Sequence, residues 1–222
     1  GLAHRVSEHV ARERDFTRDA SHELRTPLTV IRVASDMAMA EESTPRVARS
    51  LQRIQRAGRD MEAVIDAFLI LAREADVEPQ SEDFEIADIV LDEADNARAL
   101  LIGKEVDLEV TCNAKPRLHA PPRVMQVVIS NLLRNACSYT DDGRIDVIVE
   151  QDRVIVRDTG IGMSEESMAR AFEPFYRADP TRPHGTGLGL SIVRRLCDRF
   201  GWKIELESVL GRGTSATIRF LS

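Results

Sequence analysis

The chain is poor in lysine. Only Lys104, Lys115 and Lys203 occur among 30 basic residues, and neither part of the chain holds a surplus of positive charge. Residues 1–76 carry 12 Lys and Arg against 13 Asp and Glu, and the remainder carries 18 against 24, for a net charge of −7. Binding to nucleic acid rests largely on neutralising phosphate, so this balance argues against nucleic acid as a partner. Cysteine is also scarce. Cys112, Cys137 and Cys197 are odd in number and far apart. They fit no zinc spacing and no disulfide framework, and read as small buried hydrophobes in a reducing compartment. No apolar run reaches the roughly 18–20 residues of a membrane span. No signal peptide is visible, and residue 1 is Gly rather than Met, so the chain reads as a piece of a longer protein. What remains is ordinary. The 222 residues are 43% hydrophobic and 30% charged, which suits one or two domains with a real core.

The first 76 residues follow a helical period. At about 100° per residue, Phe16, Ala20, Leu24, Leu28, Ile31, Ala34 and Ala38 cluster on one side of a helix expected from about Arg5 to about Glu41. His22 falls roughly 170° from the centre of that stripe, facing solvent, with Thr26 at i+4 and Thr29 at i+7. A wet-faced imidazole is partly neutral near pH 7, so one ring nitrogen can attack while the other is held, here by the adjacent Glu23. Pro27 removes a backbone donor and predicts a bend beside that turn. Thr44 and Pro45 open a second helix, in which Val47, Leu51, Ile54, Gly58, Met61, Ile65, Phe68 and Ala72 alternate by four and three. Two helices alone leave such seams bare, so pairing of two hairpins into a four-helix bundle is expected, that is, a homodimer. The polar, Pro-containing stretch 77–83 reads as a linker.

From residue 84 strands and helices interleave. Strands are expected at 84–86, 106–111, 117–119, 145–150, 154–158, 203–208 and 215–221, and helices at about 88–102, 121–139 and 188–200. The class is α+β: a helical hairpin (1–76), the linker (77–83), and an α/β sandwich with a mixed sheet (84–222) covered by helices on one face. On the 121–139 helix, Asn131 and Asn135 stack at i and i+4. Their amide oxygens are hard ligands suited to Mg²⁺, although solvated asparagines are as common. Asp158-Thr159-Gly160-Ile161-Gly162 follows a strand directly. Its glycines permit close backbone approach to a ligand, and its carboxylate can accept from an exocyclic amine. Gly185-Thr186-Gly187-Leu188-Gly189-Leu190 opens a helix whose N–H groups favour phosphate. It is neither a Walker A loop nor a dinucleotide fingerprint.

FTRDASHELRTPLTVI, residues 16–31, resembles the H box of bacterial sensor histidine kinases. Residues 131–136 with Tyr139 and Thr140 resemble their N box, 158–162 the G1 box, 172–177 the F box, 185–190 the G2 box, and Gly211-Arg212-Gly213-Thr214 the last glycine-rich turn. The resemblance covers nearly the whole chain. It implies a Bergerat-type ATP fold, with ATP and Mg²⁺ as cofactors. It further implies autophosphorylation of His22, transfer to a response-regulator aspartate, and a regulator phosphatase step through Thr26. By the same match Asn135 binds Mg²⁺, Asn131 sits by the phosphates, Tyr139 contacts the adenine and Asp158 reads its amino group; Gly160, Gly162 and Thr214 count as nucleotide-binding, although the turn holding Thr214 fits a plain β-turn between the final strands nearly as well. The phosphate side is Gly185, Thr186, Gly187, Leu188, Gly189 and Leu190. Ser138 stands where many relatives have Lys, so Arg177 or Arg182 is expected to supply that charge. His184 replaces a common glycine, as lid variation. Membrane anchoring, if any, belongs to absent upstream segments, with this portion cytoplasmic. Two alternatives stay open: a chain that is mainly a phosphatase, and a nucleotide-binding dimeric module without transfer.

Overall fold

The computed structural model describes residues 28–31, 33–38, 47, 48, 50, 51, 54, 58, 61, 81–179 and 187–220. The chain divides into two compact units, residues 1–78 and 79–222. In the first, the described residues of 28–38 and 47–61 are helical. Leu28 and Ser35 are buried, and the Ser35 hydroxyl donates to the Ile31 carbonyl one turn back. Ile31, Val47, Ile54 and Met61, four members of the apolar stripes, are exposed in the single chain. The bend at Pro27 and the turn at 42–45 lie outside the described residues.

The second unit is a three-helix layer on a mixed sheet. Its elements are β1 (Glu82–Glu85), α1 (Ile86–Arg98), β2 (Glu105–Cys112), β3 (Arg117–Ala120), α2 (Pro122–Tyr139), β4 (Asp142–Val149), β5 (Arg153–Asp158), α3 (Glu165–Arg170), α4 (Gly189–Arg199), β6 (Lys203–Val209) and β7 (Gly213–Arg219). β1 and β3 pair antiparallel as a separate ribbon, and the five-stranded sheet runs β2-β4-β5-β7-β6. Only β2 and β4 are parallel; the remaining neighbours are antiparallel. α2 packs on both α1 and α4, so the helices form one layer. Pro122 starts α2 where its missing N–H costs nothing. The hydroxyl of Ser164 caps α3 by accepting from Ser167 N at 3.2 Å.

The strand period of two makes the inner face a set of rows. Val110, Val147, Val156, Ala216 and Leu206 form one row across the sheet; Val149, Val154, Ile218 and Ile204 form part of the next. Beyond that, Trp202 and Phe220 close the core edge to face, ring centroids 6.1 Å apart. In the opposite direction the row after Val156 reads Leu108, Ile145, Asp158, Thr214, Ser208. The apolar layering therefore ends in a carboxylate and two hydroxyls. On the outer face of the edge strand β2, Glu105, Asp107 and Glu109 are all exposed.

Several local expectations are corrected. Ile86 begins a helix instead of ending a strand, and α1 stops at Arg98, followed by a 3₁₀ turn over Ala99–Leu101. α3 has six residues, too few to show a helical period, and the sequence pattern did not reveal it. Cys137 and Cys197 are buried as expected, but Cys112, at the end of the edge strand, is exposed.

Candidate functional site

Asp158 is the last residue of β5 and continues the buried face of Val154 and Val156. It is 8% exposed. Its Oδ1 accepts from Gly160 N at 2.9 Å and Thr214 N at 3.2 Å, while Oδ2 accepts no hydrogen bond from the described residues. Burial raises its pKa above the ordinary carboxylate value, and the two N–H bonds offset part of that rise. Its second oxygen is left for a donor on a ligand.

The turn after Asp158 is clamped from two sides. Ile161 N donates to the carbonyl of Tyr139 at 3.1 Å, and Gly211 N donates to Ile161 O at 2.7 Å. A Cβ on Gly160 would stand 2.2 Å from Tyr139 O and 2.9 Å from the Thr140 hydroxyl oxygen. Gly162 has φ +63°, and a Cβ there would meet Val209 O at 2.0 Å. Both glycines are therefore required by backbone contact as well as by any ligand. The Thr140 hydroxyl, next to this turn, is buried with no partner among the described residues. Lys104 Nζ fixes the end of α2 by donating to the carbonyls of Cys137 at 2.7 Å and Thr140 at 2.8 Å.

Asn131 and Asn135 face the start of α4. The ideal Cβ position on Gly189 lies 3.1 Å from Asn131 Oδ1 and 3.6 Å from Asn135 Oδ1. Asn131 is buried, and its Nδ2 donates to Val127 O at 2.7 Å, which turns the oxygen toward α4. No side chain caps α4 at Leu188, so its first N–H groups are open to an anion. Two amide oxygens and a bare helix start on one spot fit a polyphosphate with a hard cation. The segment before this helix is tied back on itself. Phe175, at φ +64°, donates its N–H to Gly187 O at 2.9 Å, and a Cβ on Gly187 would meet Phe175 C at 2.6 Å. Arg194 of α4 lies 5.1 Å over the ring of Phe172.

The structure thus gathers Asn131, Asn135, Tyr139, Asp158, Gly160, Gly162, Gly187, Leu188, Gly189, Leu190 and Thr214 around the joints of α2 with β5 and α4. Arg177 Nη2 donates to Asp179 O at 3.5 Å, a local contact. His22, Glu23, Thr26, Arg182, Gly185 and Thr186 lie outside the described residues. The sequence reading missed Ser208, whose signal was a polar residue following the inner-facing Ile204 and Leu206 of β6.

A buried acceptor at a strand end, two glycine turns and an asparagine-lined helix start define an ATPase-type nucleotide fold. Residues 120–222 match the family model "Histidine kinase-, DNA gyrase B-, and HSP90-like ATPase", and residues 12–76 match "His Kinase A (phospho-acceptor) domain". The chain belongs to the sensor histidine kinases. It is 31% identical to Sensor protein QseC of Escherichia coli (strain K12), over 94% of this chain and 48% of that protein. It is 34% identical to Phosphate regulon sensor protein PhoR of Pseudomonas aeruginosa, over 97% of this chain and 52% of that one. The chain therefore spans about half the length of these curated relatives. Full-length ShkA, solved in complex with AMPPNP, has the same fold with TM-score 0.68 at 23% identity, covering 92% of this chain and 45% of that one. The nucleotide-free catalytic domain of histidine kinase ThkA aligns with TM-score 0.55 at 26% identity, over 62% of this chain and 93% of that domain.

Proposed function

We propose that this chain is the catalytic core of a two-component sensor kinase, which phosphorylates His22 from ATP and passes the phosphoryl group to a response-regulator aspartate. The observation that carries the ATP half is the Asp158 carboxylate, buried with Oδ2 unpartnered in the same fold that places Asn131 and Asn135 against the open start of α4. Asp158 accepts from the adenine amine, and the α4 N–H groups hold phosphate. Asn135, with Asn131 beside it, would hold Mg²⁺; the ion, when bound, offsets charge on the β- and γ-phosphates.

The reacting group is the neutral imidazole of His22. Its ring nitrogen forms a bond to the γ-phosphorus, the bond to the β–γ bridging oxygen breaks, and ADP leaves. Glu23 orients the ring and takes its proton. Residues 1–76 serve as the phosphoacceptor hairpin and 77–81 as the hinge; the ATP domain begins with β1 at Glu82, two residues earlier than the sequence pattern suggested, because Glu82 and Asp83 pair with β3. The exposed Ile31, Val47, Ile54 and Met61 support burial of the hairpin in a homodimer. No described helix is long and apolar enough to cross a membrane. Anchoring in the inner membrane, with this portion in the cytoplasm, rests on segments of the relatives beyond the matched half.

Incubation with γ-labelled ATP tests the assignment. Acid-labile, base-stable label is expected on wild type and not on His22→Gln. Nucleotide binding without label on either would leave a dimeric binding module instead. Ser138 in place of the usual lysine favours a weak kinase with a strong phosphatase role. Under that role Thr26→Ala slows regulator dephosphorylation while autophosphorylation stays within about twofold; equal loss of both rejects the division of labour.

A further inference from the structure

α2 ends without a cap of its own. Its closing residue, Thr140, has an extended backbone (φ −110°, ψ 120°), and no basic residue stands in the last turn. The last carbonyls of a helix need outside partners, and a cation there also meets the negative end of the dipole. Both needs are met from a distant stretch. Lys104 N donates to Leu101 O at 2.9 Å, closing a turn in which Gly103 has φ +84°. A Cβ on Gly103 would meet nothing within 4 Å, so this glycine serves the backbone conformation alone. From that turn the Lys104 ammonium reaches Cys137 O at 2.7 Å, Thr140 O at 2.8 Å and Asp141 Oδ1 at 3.3 Å. Its three N–H groups meet three acceptors. The side chain is 27% exposed, so salt screens these bonds less than those of a surface pair.

The two carbonyls held by Lys104 flank Tyr139. The Tyr139 carbonyl is the one that accepts from Ile161 N and seats the glycine turn after Asp158. A Cβ on Gly160 has no room against that same oxygen, so the end of α2 and the turn touch without slack. Any drift of the α2 end is therefore passed to the turn. Asn131 and Asn135 lie further back on α2, facing Gly189.

We propose that Lys104 is a positioning residue of the nucleotide site: its ammonium ties down the last turn of α2, and through the Tyr139 carbonyl it holds the glycine turn in the place that receives the nucleoside. This rests on the nucleotide reading of the site. The residue touches no ligand itself and acts at the nucleoside end, away from the phosphates.

Calorimetric titration of the full chain with ADP and with AMP, beside a urea titration, tests this. Lys104→Met keeps most of the stem and removes the donors. It is expected to weaken both nucleotides about tenfold and by the same factor. A residue that merely braces the fold would lower the urea midpoint and leave both affinities of the folded protein unchanged, and that result overturns the proposal. A loss much larger for ADP than for AMP would place the disturbance at the phosphates and overturns it as well. Lys104→Ala adds a chemical rescue, because n-propylammonium supplies the carbons and the ammonium that alanine lacks. That ion is expected to restore most of the lost affinity. n-Propyltrimethylammonium, with the same charge and no N–H donor, is expected to restore none; equal recovery with both ions overturns the hydrogen-bonded tie. If Lys104→Met does not fold, Lys104→Gln, a shorter neutral donor, takes its place with the same expected direction. A folded wild type that binds neither nucleotide overturns the nucleotide reading together with this one, whereas wild-type binding with unchanged affinities in the folded variant overturns this one alone.

Discussion

Asp158→Asn separates folding from binding. The carboxylate is buried, its pKa is raised by desolvation, and the N–H bonds from Gly160 and Thr214 offset only part of that cost. The folded chain therefore binds this proton more tightly than the unfolded chain. Stability falls as pH rises through the window just above the usual carboxylate range, and at neutral pH the ionised group is a net cost to folding. Asparagine keeps an oxygen for both N–H donors and carries no charge. D158N is expected to match or exceed wild type at pH 7 within about 1 kcal/mol, read by urea titration, with the fall in stability across that window removed. Binding responds in the opposite way. Oδ2 becomes an NH₂ group, so a donor faces the amine of the base. A hydrogen bond to a charged acceptor is worth about 1.5–3 kcal/mol. Its replacement by two facing donors is expected to weaken ADP about 100-fold, or ~2.7 kcal/mol. Calorimetry on the same preparation reads this. A folded D158N that binds ADP within threefold of wild type refutes the assignment of Oδ2 to the base. Loss of several kcal/mol of stability along with binding would show that the carboxylate holds the fold instead.

Two further outcomes follow from the same geometry. Gly189→Ala acts at the first position of α4, where the propensity gain is below the ~1 kcal/mol of a helix interior, and its Cβ would stand 3.1 Å from Asn131 Oδ1. Stability is expected to hold while ADP affinity drops about tenfold and AMP affinity stays, which paired titrations would check; equal loss of both would move the disturbance away from the phosphates. Burial pushes the thiol of Cys137 up to about 11 and that of Cys197 up to about 12, and only Cys112 is exposed. Native protein at pH 8 should release one equivalent in a thiol-reagent assay and three after denaturation; a second fast-reacting thiol would contradict the packing of α2 or α4.

The strands of the second unit were legible because their inner faces alternate. Asp158 was legible from the glycine turn that directly follows its strand; that it also continues the inner-facing period of Val154 and Val156 emerged only with the fold. The asparagine pair was legible from its i, i+4 spacing on α2. What spacing does not carry is pairing between distant strands. The β1–β3 ribbon depends on a register between residues 82–85 and 117–120, set by tertiary contact. Ser208 was missed for the same reason: its value lies in facing Thr214 across the β6–β7 ladder, and only the pairing shows which hydroxyl it meets. The contacts of Lys104 depend on the fold in the same way, since only the tertiary structure brings the end of α2 onto its ammonium group.

The acidic margin of β2 has a bearing on how copies of the chain meet. Glu105, Asp107 and Glu109 stand in a line on a strand whose outer edge has no neighbour in this sheet. Two such margins brought together would set carboxylate against carboxylate, which repels sheet-to-sheet stacking of strands between molecules. Added salt screens that repulsion over about 10 Å at 0.1 M, so concentrated stocks should turn cloudy sooner in high salt than in dilute buffer, and assembly is steered toward the helical hairpins.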